Sequence, residues 1–115
     1  PLETVLAEKI ETVLARNVAT TRIRDFYDIY ELWRVRGCVV HGRILARALV
    51  ATCEKRNSQE AVARRREIID AMRADDGLCW QWRTYASKHS YAADLSFEKT
   101  LDSIQEVMKS IAPFL

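Results

Sequence analysis

The sequence predicts an all-α protein, an irregular antiparallel bundle of about five to six helices joined by short loops. Three observations predict it. Apolar residues recur three and four positions apart through one segment after another, the spacing of a single helix face. Turn-forming residues are scarce: the 115-residue chain has three glycines and two prolines, and Pro1 and Pro113 sit at its ends. An all-β fold would need many more. No internal repeat or low-complexity segment interrupts the pattern.

The first helix is expected from Leu2 to Arg16, with Leu2, Leu6, Ile10 and Val13 at helical spacing. Asn17 to Thr21 reads as a loop, and Thr20 or Thr21 is a candidate cap for the second helix. That helix carries Phe26, Ile29, Tyr30 and Trp33 on one face and ends at Gly37, a residue suited to a C-terminal cap. Cys38 to Val40 is too short to assign. A third helix should run from Gly42 to Lys55 on Leu45, Ala48, Leu49 and Thr52. Asn57-Ser58 breaks it. A fourth should cover Gln59 to Ala74, burying Val62, Ile68, Ile69 and Met72, and stop at Asp75-Asp76-Gly77. A fifth, Leu78 to Lys88, would use Leu78, Trp82 and Tyr85. Ser96 is the expected N-cap of the last, whose stripe is Phe97, Leu101, Ile104, Met108 and Ile111, closed by Pro113.

One domain over residues 1–115 accounts for this length, and a chain of this size buries enough surface to fold without disulfide or metal. A net charge of +2 is too small to argue for nucleic acid by itself. Cys38, Cys53 and Cys79 are odd in number and widely spaced, which fits neither a disulfide framework nor a zinc motif. Buried free thiols in a reducing compartment are the expectation. No apolar run approaches a membrane span and no signal peptide is visible, so the cytoplasm is the expected location. The chain opens Pro1-Leu2-Glu3 directly at a helix with no methionine, as a segment of something longer would.

The informative residues are charges on apolar faces. At about 100° per residue, Leu2, Val5, Leu6 and Val13 cluster, with Lys9 among them and Arg16 two turns on. A lysine there needs a paired charge or a path to water. The second helix offers Asp25, between Ile29 and Leu32, and Asp28 one turn later. Packing the two helices together brings Lys9 towards one or both carboxylates, with Arg22 and Arg24 beside them. A structural ion pair explains this pattern, and acids are favoured in a first helical turn. The wall of an active-site cleft, where Lys9, Arg16, Arg22 and Arg24 meet an anionic substrate, explains it as well. The two readings differ in one observable: a cleft wall leaves the cluster open to solvent on one side.

Other groups carry less. Arg64-Arg65-Arg66 with Lys55 and Arg56, and Arg43 with Arg47, could dock the phosphates of an acceptor RNA, although charge runs are usually solvated helix faces. His41 and His89 lack metal-pair spacing, and proximity in sequence does not make Cys38 and His41 a catalytic dyad. Trp33, Trp80 and Trp82 read as core and boundary aromatics. Trp80 is too close to Trp82 to share its face, so one of the two should be exposed.

The run Pro1-Leu2-Glu3-Thr4-Val5-Leu6-Ala7-Glu8-Lys9-Ile10-Glu11-Thr12, followed by Arg22-Ile23-Arg24-Asp25-Phe26-Tyr27-Asp28-Ile29-Tyr30, resembles the AbiEii/AbiGii toxins. These are nucleotidyltransferase-like toxins of type IV toxin–antitoxin and abortive-infection phage-defence systems. The resemblance is most specific in the first thirty residues. It continues more weakly through Trp82, Tyr85 and the Tyr91-to-Phe97 segment, similar to the family's helical C-terminal region. It implies a bilobed enzyme. The N-terminal lobe carries a glycine-serine turn and a pair of aspartates holding Mg2+ and a nucleoside triphosphate (NTP). The helical C-terminal lobe adds a lysine and acids to the cleft. Carried onto this chain, Lys9 matches the lysine, Asp25 and Asp28 the acidic pair, and Arg24 precedes them.

The resemblance then implies that Lys9 contacts the triphosphate or the leaving pyrophosphate, and that Asp25 or Asp28 orients Lys9 or positions the acceptor. No glycine-serine turn with a metal-binding aspartate pair occurs in these residues, and no metal ligands are assigned to them. The expectation is a C-terminal lobe, inactive alone, whose partners are the missing lobe, an antitoxin and an RNA acceptor, with no membrane contact. The competing expectation is a stand-alone helical interaction module without catalysis.

Overall fold

Pro1 precedes the first helix, where its missing N–H leaves no hydrogen bond unmade. The computed structural model describes all 115 residues, and every regular element is helical. Seven α-helices form: α1 (Leu2–Arg16), α2 (Arg24–Arg36), α3 (Gly42–Arg56), α4 (Gln59–Ala63), α5 (Arg65–Ala74), α6 (Asp76–Lys88) and α7 (Phe97–Ile111). Short 3-10 turns occupy Asn17–Ala19, Gly37–Val39, Ser90–Ala92 and Ala112–Phe114.

The helix count exceeds the expected five to six because the segment 59–74 is broken at Arg64, whose φ of −99° and ψ of 16° leave the helical region. The break has a packing reason. α4 rests on α1 and α3, whereas α5 reaches α7 and the turn after α1. Asp75 both stops α5 and starts α6, its Oδ2 accepting the Leu78 N–H at 2.9 Å. Gly77 therefore lies inside α6.

Caps follow the expected chemistry in part. Ser96 caps α7, accepting the Lys99 N–H at 3.1 Å. Neither Thr20 nor Thr21 caps α2. The Thr20 hydroxyl instead accepts the Arg22 N–H at 3.1 Å, two residues on, which folds the approach to the helix. Gly37 keeps right-handed helical angles and leads into a 3-10 turn, so it is no left-handed cap. Its reason is space: a Cβ there would stand 3.1 Å from the Trp33 ring. Positive φ occurs at Asn17, 54°, and Asn57, 55°, at the ends of α1 and α3, and of the two only Asn57 is a left-handed helical cap.

α1 lies mainly against α3 and α2, and α7 is covered by α2, α3, α5 and α6. α7 buries every residue of its expected stripe, with Thr100, Ser103 and Val107 added. Phe97 meets Phe26 edge to face at 5.0 Å and Trp82 at 6.1 Å. The Trp82 indole N–H donates to the Leu95 carbonyl at 2.9 Å. Elsewhere the stripes depart from expectation: Tyr30 and Trp33 of α2, Val62 of α4 and Tyr85 of α6 are only half-buried, and α3 and α1 are rotated. In α3 the buried set is Leu45, Ala46, Leu49 and Cys53, with Ala48 and Thr52 at the edge. In α1 it is Leu6, Ala7, Ile10, Glu11, Val13 and Leu14, which rotates the apolar centre away from exposed Val5 and puts Lys9 at the margin. Of the cysteines only Cys53 is buried, and burial pushes its thiol pKa up; Cys38 is exposed and Cys79 half-buried.

Candidate functional site

The margin of α1 is where the charges gather. α2 begins with Arg24 and Asp25, and residues three apart on a helix share a face, so Asp25 and Asp28 point together towards Lys9 of α1. The Lys9 ammonium donates to Asp28 Oδ2 at 2.9 Å and stands 3.7 Å from Asp25 Oδ1. The Arg22 guanidinium donates to Asp25 Oδ2 at 3.1 Å, and Arg24 Nε lies 3.6 Å from Asp28 Oδ1. Asp25 is almost fully buried, Lys9 and Asp28 are partly covered, and Arg22 and Arg24 are largely in water. The Asp28 carboxylate beside Arg24 raises the arginine's pKa further.

The cluster is open on one side. It forms part of a cleft of about 820 Å3 whose other wall is α6. That wall supplies Trp80, Gln81, Thr84, Tyr85, Lys88 and His89. Lys9, Arg22, Arg24 and Lys88 therefore face a cleft that holds two carboxylates, and the balance favours an anion. Arg16 is displaced from this group. It lines a neighbouring groove of about 560 Å3 that shares Lys9, Arg22 and Asp25 with the cleft.

Behind the cleft the aromatic side chains form a cluster of tilted and edge-on rings. His89 lies 4.4 Å from the Tyr85 ring and 5.2 Å from that of Tyr91, and Tyr27 lies 4.7 Å from Tyr91. The Tyr85 and Tyr91 hydroxyls share a hydrogen bond of 2.7 Å. Burial, then this bond, push the Tyr85 phenol pKa well above its usual value, so it stays protonated.

The donor set does not fit a divalent metal. All four carboxylate oxygens of Asp25 and Asp28 face a lysine or an arginine. No group of three or more His, Cys, Asp or Glu side chains converges anywhere in the fold. These residues can hold a polyanion through cations; they cannot by themselves assemble an octahedral oxygen site.

Several residues singled out in the sequence lie elsewhere. Arg64 pairs with Glu67, Arg65 donates to the Val62 carbonyl and Arg56 pairs with Glu11, so most of the basic run is engaged. Arg43 stands over the Phe114 ring at 4.7 Å. His41 Nδ1 accepts the Ile44 N–H as the cap of α3, which turns it to its own helix. Two features escaped the sequence reading. Glu11, nearly fully buried, takes Arg56 at 2.6 Å and the Ser58 hydroxyl at 2.8 Å. The sequence also gives Tyr85 a core role and marks one of Trp80 and Trp82 as exposed, but nothing in it joins α6 to the Lys9 cluster as the opposite wall.

An all-helical domain with a cation-rich cleft at the junction of three helices is the class that geometry defines. Residues 1–106 match the family model described as nucleotidyl transferase AbiEii toxin, type IV TA system. The chain belongs to this AbiEii toxin family. Neither the curated proteins nor the solved structures give a match. No helix is long and apolar enough to cross a membrane.

Proposed function

We propose that this chain is the helical C-terminal lobe of an NTP-dependent nucleotidyltransferase toxin of phage defence, acting in the cytoplasm and restrained by an antitoxin. The observation that carries the reading is the Lys9–Asp28–Asp25 cluster, partly buried yet open to a cleft with an excess of positive charge. In nucleotidyl transfer an acceptor hydroxyl oxygen bonds to the α-phosphorus. The bond to the bridging oxygen breaks, pyrophosphate leaves and the hydroxyl proton passes to solvent or a base. Little covalent chemistry is asked of the protein; positioning and charge stabilisation dominate.

In this reading Lys9 holds the triphosphate and the departing pyrophosphate as a point charge. Asp28 orients the ammonium, and Asp25 holds Arg22 at the rim. Arg22 and Arg24 add charge at the cleft mouth, and Arg16 extends it into the adjoining groove. Magnesium chemistry, like the glycine-serine turn and its aspartates, is assigned to a separate lobe, and no step runs through Asp25 or Asp28 as metal ligands. The alternative, a non-catalytic interaction module, has no use for an ion cluster left open to a cleft.

Titration calorimetry of each NTP against the 115-residue chain tests the binding claim. Lys9→Ala should weaken triphosphate binding tenfold or more, the scale of a lost charge-assisted hydrogen bond. Unchanged binding sinks the assignment. A labelled-NTP assay on the same chain should show no transfer; transfer lost in Asp25→Ala/Asp28→Ala would overturn the lobe assignment. In the native locus, the frame upstream of the Pro1 codon should encode a glycine-serine turn and a spaced aspartate pair.

A further inference from the structure

The outer face of α6 runs from the cation-lined cleft out beyond it, and its composition is unusual. Trp80, Arg83, Thr84, Ser87 and Lys88 recur at helical spacing and form one stripe about 12 Å long from Trp80 to Lys88. Trp80 is 65% exposed, the most exposed large apolar side chain of the molecule. Arg83 and Lys88 are exposed and enter no ion pair. The Thr84 and Ser87 hydroxyls are bonded back to the Trp80 and Thr84 carbonyls, so the stripe presents one aromatic plane and two free cations. The nearest acid on this face, Asp76, lies a turn before Trp80 and bounds the stripe.

The stripe also joins two depressions. Trp80 and Thr84 belong to the Lys9 cleft, Arg83 and Ser87 to a second groove of about 910 Å3, and Lys88 lines both. The carboxylate in that groove, Glu98, is taken by Arg73. A mononucleotide would need the cleft alone. A ligand that uses the stripe must be longer, negatively charged at intervals, and carry a flat face for the indole.

We propose that the outer stripe of α6 binds single-stranded nucleic acid, with Trp80 stacking on a base and Arg83 and Lys88 contacting phosphates. An unpaired base exposes the π-face that stacking requires, and aromatic platforms with cations are how proteins hold single strands without sequence preference. A duplex hides those faces. The strand leaves the second groove past Lys88 and ends at the Lys9 cleft. That last placement rests on the nucleotidyltransferase reading; binding along the stripe does not.

The test is fluorescence anisotropy with a labelled ten-nucleotide single-stranded RNA of mixed sequence, titrated with the 115-residue chain at low salt. Trp80→Ala should weaken binding about five- to a hundredfold, the range for loss of one stacked base, and Trp80→Phe should restore most of it. Arg83→Ala/Lys88→Ala should flatten the log-affinity against log-salt slope by about 1.4, since each phosphate contact to a single strand contributes about 0.7. Circular dichroism should be unchanged, because all three side chains are exposed. No binding by the wild type, equal affinity in Trp80→Ala, or equal affinity for a duplex of the same length overturns the proposal. So does equal binding of a polyglutamate peptide, which would mark the stripe as a docking face for an acidic protein. Lys9→Ala should weaken triphosphate binding tenfold or more and strand binding by less than Trp80→Ala does, so failure of one reading is separable from failure of the other.

Discussion

Glu11 and Arg56 show how the consequence of losing a charge depends on which partner stays behind. Glu11 is nearly fully buried, whereas Arg56 is almost half exposed and can return to water. Removing the arginine strands a buried carboxylate with only the Ser58 hydroxyl. Arg56→Ala should therefore cost about 3 kcal/mol, and Glu11→Ala about 1–2 kcal/mol. The double variant should be more stable than Arg56→Ala alone, a non-additivity that urea melts of the three proteins would read directly. Equal losses in both single variants would argue that Arg56 is as dependent on the pair as Glu11. The approach of Lys9 to one or both of Asp25 and Asp28 was legible from helical angles once α1 is packed on α2; that Asp28 takes the hydrogen bond was not. Nor was Glu11: a glutamate among apolar neighbours looks like an imperfection in the stripe until a partner 45 positions later is known. That partner is set by α1 packing on α3, which no local pattern encodes.

At the scale of elements, the joint between the starts of α1 and α3 is pH-sensitive. The His41 backbone N–H donates to Glu3 Oε2 at 3.0 Å and holds the Glu3 pKa below its usual value. A group whose pKa is lowered on folding stabilises the fold above its unfolded value. That contribution fades as pH falls through the folded value. Glu3→Gln should thus narrow the stability difference between pH 7 and pH 3, seen as a smaller fall in melting temperature on acidification. An identical fall in both proteins would remove Glu3 from the acid response. Helix positions were largely readable because apolar periodicity survives without tertiary knowledge. The break at Arg64 and the identity of Gly37 were not, since each answers to a neighbour from another turn or another helix: α1 and α7 in one case, the Trp33 ring in the other.

The whole molecule depends on α7 as its common partner. Phe97 stands between Phe26 of α2 and Trp82 of α6, joining the helix that carries the aspartates to the helix that forms the opposite wall. Phe97→Ala should cost about 3–5 kcal/mol, a large fraction of the roughly 5–15 kcal/mol available to a small domain. The loss should appear in calorimetry as a lower midpoint, and the surviving folded molecules should bind triphosphate less tightly because the walls are no longer braced. Full triphosphate affinity in the folded variant would mean that the cleft is braced by other contacts.

Trp80 and Trp82 sit two residues apart on opposite faces of α6, one 65% exposed and the other 2%. Their emission must differ accordingly. The water-bathed indole emits at longer wavelength and is open to iodide, while the buried one emits at shorter wavelength and is shielded from the quencher. Helix α6 thus carries a built-in pair of optical probes, one reporting what settles on its outer surface and one reporting the integrity of the interior. With the third indole, half-buried Trp33, replaced by phenylalanine, occupancy and unfolding can be followed separately in a single cuvette, without attaching a dye to the protein.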